Sequence, residues 1–123
     1  MNPSTPCPSC GEHKNRGVSV DGLIIRDGKI LLIKRGRDPF KGYWALPGGY
    51  VDWNESTEEA VAREVMEETG LTVTSRELIG VYSSPARHPK QVINIAYMVN
   101  ASGEPKAGDD ALEAVAELLL VDE

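Results

Sequence analysis

The sequence predicts an α/β fold, and three observations carry that expectation. Short segments rich in Val, Ile and Tyr, bounded by Gly, Pro, Asn and Asp, recur along the chain as strand candidates. One stretch, Ser56 to Gly70, has a helix start, an apolar side and a helix stop. The 123 residues, 41% hydrophobic and 26% charged, suit one globular domain with a single core.

Residues 1–17 hold Pro, Ser, Cys, Asn and Gly with little apolar content, so a flexible N-terminal arm is expected, followed by one domain over residues 18–123. Cys7 and Cys10 in C-P-S-C form half of a zinc-ribbon knuckle. His13 offers a third ligand, but a fourth would have to come from a second chain, so a tail or remnant is the simpler reading. Val18–Ile25 is a first strand, and Asp27-Gly28 is a hairpin turn into Lys29–Lys34. The continuous apolar run Ile30–Ile33 suggests a strand buried on both faces. A basic loop with Arg35 and Arg37 follows, either solvated or contacting phosphate. Trp44 reads as core packing, Pro47-Gly48-Gly49 as a tight turn, and Tyr50–Trp53 as a short strand.

In the helix, Ser56 serves as N-cap with Glu59 closing a capping box, and Gly70 takes the αL stop. Thr72–Thr74 and Leu78–Tyr82 look like strands, with Ser83–Lys90 a loop. Val92–Val99 alternates, with Ile93, Ile95, Tyr97 and Val99 on one side. Ala101–Gly108 is turn-rich. Ala111–Val121 reads as a helix, with Leu112, Val115, Ala116, Leu119 and Leu120 spaced for one face.

The chemistry-bearing feature lies inside the predicted helix. Glu64, Glu67 and Glu68 stand at i, i+3 and i+4 and share one face, where like charges cost roughly 0.2–0.5 kcal/mol per pair. Arg63 can pair with Glu59 and Glu67, which leaves Glu64 and Glu68 uncompensated. A solvated acidic face explains three such glutamates; so does a site for a hard divalent cation, with waters and phosphates as further ligands.

The wider spacing favours the second. Gly49, Glu55, Arg63, Glu64, Val65, Glu67, Glu68, Gly70 and Leu71 together resemble the Nudix box, G-x5-E-x7-R-E-U-x-E-E-x-G-U with U apolar, at every fixed position. The likeness to Nudix hydrolases extends, more loosely, from about Val18 to Asp110. It implies an α/β/α sandwich around a mixed central sheet. Nudix proteins usually place a strand, often with a Trp-Phe pair, and then a final helix near the C-terminus. This chain lacks that pair, so the C-terminal helix is expected to be short or truncated.

The resemblance also implies Mg²⁺-dependent hydrolysis, with Mn²⁺ as a substitute, of a nucleoside diphosphate linked to a group X, giving NMP and phospho-X. Metal ligands would be Glu64 and Glu68, then Glu67 and the Gly49 carbonyl. Arg63 would orient the glutamates and Glu55 would tie the preceding loop to Arg63. Candidates for the general base are Glu64, Glu113 and Glu104 downstream, and His88; Glu67 and Arg63 are further catalytic candidates. Arg35, Arg37, Gly48, Pro85 and Arg87 are candidate substrate contacts. The stretch Leu78–Pro85 resembles ADP-ribose pyrophosphatases, in which a proline past the box marks the class; Pro85 fits.

Net charge −6 argues against a general nucleic-acid binder, and no apolar run reaches membrane length. With no signal-peptide core either, a cytoplasmic protein acting on a small nucleotide is expected, with a homodimer left open. Alternatives are a house-cleaning pyrophosphatase for (deoxy)nucleoside triphosphates, a non-catalytic nucleotide-sensing module, and, more remotely, a zinc-linked interaction module built on Cys7 and Cys10.

Overall fold

In the computed structural model, residues 15–36 and 41–106 and the backbone of 111–119 are described. The chain begins with a hairpin of β1 (Val18–Arg26) and β2 (Lys29–Arg35). Asp27 and Gly28 both have positive φ, 52° and 75°, the geometry a two-residue turn needs to match strand twist. Short strands β3 (Trp44–Ala45) and β4 (Gly48–Tyr50) lead to helix α1 (Thr57–Thr69). Then come β5 (Thr72–Tyr82), a 3₁₀ turn Pro85–Arg87, β6 (Ile93–Ser102) and β7 (Ala111–Leu119).

The strands form one mixed sheet in the order β3-β2-β1-β6-β5, with β4 also on β1 and β7 also on β2. β1 is its axis. It runs parallel to β6 from Val18↔Ile93 to Ile24↔Val99, and antiparallel to β4 through Val20↔Gly49 and Asp21↔Gly48. The helix is placed by its own chemistry. Ser56 accepts from the Glu59 amide while the Glu59 side chain accepts from the Ser56 amide, and Gly70 closes the last turn at φ 75°.

The core lies between α1 and one sheet face: Val20, Ile24, Leu31, Ala60, Val61, Val65, Leu71, Tyr97 and Val99. Burying each of the valines contributes roughly 1.5–3 kcal/mol. Gly22 lets α1 come close, since a Cβ there would meet Val65 and Val61 at 3.1 and 3.2 Å.

Four expectations are corrected. Ala111–Leu119 is a strand, not a helix, and pairs antiparallel with β2. Its apolar spacing fits both periods, and pairing with β2 decides between them. Residues 72–82 form one strand rather than two, with register shifts between Val73 and Ser75 and between Leu78 and Gly80. β2 alternates: Leu31 and Ile33 are buried, Ile30 and Leu32 only half-buried. The strand before the helix is Gly48–Tyr50, and Trp53 is 91% exposed. Among the described residues α1 is the only α-helix, and they hold no second helical layer of the expected sandwich. Cys7, Cys10, His13 and Arg37 lie outside the described residues.

Candidate metal and phosphate site

Glu64 and Glu68 lie one turn apart on α1, on the flank that meets β4. The Gly48 amide donates to Glu68 Oε1 at 2.8 Å. A Cβ on Gly49 would lie 2.7–2.8 Å from all three atoms of the Glu64 carboxyl group. A Cβ on Gly48 would collide with the Val20 carbonyl oxygen and the Asp21 carboxylate. Only glycine lets the backbone come this near on both sides. The two glycines therefore press a strand directly onto two acids.

Arg63 organises the outer side. Its Nε and Nη2 donate to the two oxygens of Glu55, at 2.7 and 2.9 Å. Nη1 donates to Glu64 Oε1 at 2.8 Å and to Glu67 Oε2 at 3.1 Å, and Nη2 reaches the Tyr50 carbonyl at 3.0 Å. Asp52 adds an ion pair at 3.3 Å. The expectation that Arg63 leaves Glu64 uncompensated is thus corrected; Glu68 alone lies outside its reach. Nor does Glu59 pair with Arg63, being committed to the capping box.

The acids divide electrostatically. The Arg63 hydrogen bonds, and then the Asp52 amide, pull the Glu55 carboxyl down to about 2. These partners hold Arg63 more firmly protonated than usual. Burial pushes Glu64 up. Burial, opposed by the Gly48 amide and aided by the Glu64 charge, pushes Glu68 up to about 8. Burial beside Glu64 thus favours the protonated form of Glu68. The donor chemistry fits a small hard cation, which would replace that proton between the two carboxylates. Among the described residues no three Asp, Glu, His or Cys side chains converge into a ready cage. Such an ion would keep waters or take phosphate oxygens, as Mg²⁺ does.

The other expected residues spread around this centre. Arg35, at the end of β2, is close enough for its charge to act on Glu68. Pro85 opens the 3₁₀ turn, and Arg87 Nη2 donates to the Val92 carbonyl while its charge acts on Asp21. Glu113 lies on β7 with its backbone opposite Lys34. Glu104 is exposed in the turn after β6. The His88 ring accepts from the Lys90 amide, closing its own loop. Trp44 is not core: it is 42% exposed, with Lys34 Nζ 5.8 Å from its ring centre.

Sequence reading missed a polar cluster, Ser19 and Asp21 on β1 with Asn94 on β6. Asn94 Nδ2 donates to Ser19 Oγ at 2.9 Å, and the Asn94 side chain also hydrogen-bonds Asp21. Its signal was present, since Ser19 and Asp21 are polar residues two apart in an otherwise apolar strand.

Comparison with known proteins gives a consistent picture. The NUDIX domain family matches residues 15–123. An ADP-ribose pyrophosphatase of Methanocaldococcus jannaschii is 58% identical over 99 residues, 79% of this chain and 59% of that protein. A MutT NUDIX hydrolase structure from Burkholderia pseudomallei superposes with TM-score 0.74 at 40% identity, covering 84% of this chain and 82% of that one. A bifunctional NMN adenylyltransferase/ADP ribose pyrophosphatase from Francisella tularensis, complexed with AMP and a Mn ion, gives TM-score 0.74 at 27% identity, covering 87% and 35%. The chain spans about half the length of the curated relatives it matches.

Proposed function

The chain belongs to the Nudix hydrolase family, and from that premise we propose that it is a Mg²⁺-dependent pyrophosphohydrolase. Its substrate is a nucleoside diphosphate linked to another group, with ADP-ribose or a related nucleotide sugar preferred, and its products are NMP and phospho-X. The observation that carries the reading is the pair Glu64 and Glu68 on one flank of the helix, one pressed against Gly49 and the other accepting from the Gly48 amide. A fold holds two acids in that state at a cost, and a divalent cation relieves it.

Glu64, Glu68 and the Gly49 carbonyl would hold the ion, with Glu67 beside them. The bound ion supplies charge neutralisation of the diphosphate and a more acidic water. Arg63 keeps Glu64 and Glu67 in register with the loop through Glu55 and Tyr50. Glu67, at 38% exposure, is the box glutamate most open to solvent, and takes the proton of the attacking water. Arg35 offsets negative charge arriving next to Glu68.

The ADP-ribose preference draws on Pro85 and on the M. jannaschii relative's name. It is tested by incubating the protein with ADP-ribose and with a panel of dNTPs, with and without Mg²⁺. AMP released from ADP-ribose only with the metal is the expected result. Pyrophosphate released from dNTPs instead would assign the house-cleaning activity. No turnover of either, with nucleotide bound, would leave a sensing module.

A further inference from the structure

Asp21 is a carboxylate in the middle of the strand on which the sheet is built. Its neighbours Val20 and Gly22 face α1, so the alternation of the strand points Asp21 to the opposite face, with Ser19. Gly48 joins it to the acid pair: the Gly48 amide contacts Glu68, while its Cα side lies against the Asp21 carboxylate. The Gly48 backbone thus lies directly between Glu68 and Asp21.

We propose that Asp21, held by Asn94, is a specificity-determining residue that accepts hydrogen bonds from the donor groups of the substrate's nucleoside. The substrate class rests on the pyrophosphohydrolase reading. Phosphate oxygens cannot be the partner of Asp21, because they are acceptors of the same charge. The nucleoside of the substrate bears two sets of donors, the ribose cis-diol and the exocyclic amine of the base. The cluster suits either. The Asn94 amide hydrogens go to Ser19 and Asp21, and the carboxylate lone pairs that remain on Asp21 are acceptors. Partial burial of Asp21 raises the strength of a hydrogen bond made there, and the Arg87 charge offsets part of the burial cost.

The test uses neutral nucleosides on metal-free protein, so that neither phosphate nor ion contributes. Adenosine, 2′-deoxyadenosine and inosine are titrated while the Gly48 backbone amide and the Asn94 side-chain amide are followed by NMR. Adenosine should shift both signals. One analogue should bind about tenfold more weakly: 2′-deoxyadenosine if the diol is the donor, inosine if the amine is. D21N should bind all three alike, with unfolding temperature measured alongside. Should D21N not fold, N94A, which leaves Asp21 unsupported, should narrow the preference. Equal binding of the three by the wild type, a preference unchanged in the variants, or no shift with any nucleoside would overturn the inference. Turnover of ADP-ribose with Mg²⁺ is measured separately. Turnover without nucleoside preference removes only this inference; preference without turnover removes only the hydrolytic reading.

Discussion

Glu68 is where burial and charge meet most sharply. Its carboxyl rises from an ordinary 4.5 to about 8 because it is buried next to Glu64. A carboxyl raised by folding is held protonated more tightly in the native state than in the unfolded chain. The metal-free protein should therefore lose stability as pH climbs from about 4.5 to about 8. Melting temperature in EDTA across that range measures this, and Glu68→Gln should flatten that part of the profile while abolishing most turnover. Gly48 and Gly49 make a second contrast. Gly48→Ala meets the backbone of β1 and should cost about 1–3 kcal/mol of stability in a denaturant melt. Gly49→Ala meets only the flexible end of Glu64. It should fold nearly as well as wild type, yet bind Mn²⁺ roughly tenfold or more weakly by paramagnetic resonance titration.

At the scale of elements, the helix owes its position to both ends. Ser56→Ala removes the acceptor for the Glu59 amide and should destabilise by about 1 kcal/mol, read from chemical denaturation. These ends were legible in the sequence because capping is local: Ser56, Glu59 and Gly70 interact within the stretch that specifies them. The hairpin at Asp27-Gly28 was legible for the same reason. β7 was not, because Leu112, Val115 and Leu119 satisfy a helical period on their own, and only the edge of β2, far away in sequence, selects the strand. The site divides along the same line. The box residues sit on one continuous segment, so their spacing alone marks them as candidates. Asp21 and Asn94 meet only because β1 and β6 run side by side, and nothing local to either announces the other.

For the molecule as a whole, the proposed cation site would exchange a proton for an ion. Adding Mg²⁺ should raise the melting temperature and release protons, since the ion displaces the one on Glu68. Calorimetric titration at pH 7 in buffers of different ionisation enthalpy measures the release, and the number should fall toward zero in Glu68→Gln. The surface charge of −6 would favour cation uptake from dilute solution and disfavour free anionic substrate, so substrate capture should depend on the ion being present.

The guanidinium of Arg63 binds the loop before the helix and the helix itself in a single grip, through Glu55, Tyr50, Glu64 and Glu67. That grip needs no cation. With that scaffold in place, binding at the proposed site would wait on dehydration of the ion and not on rearrangement of the chain.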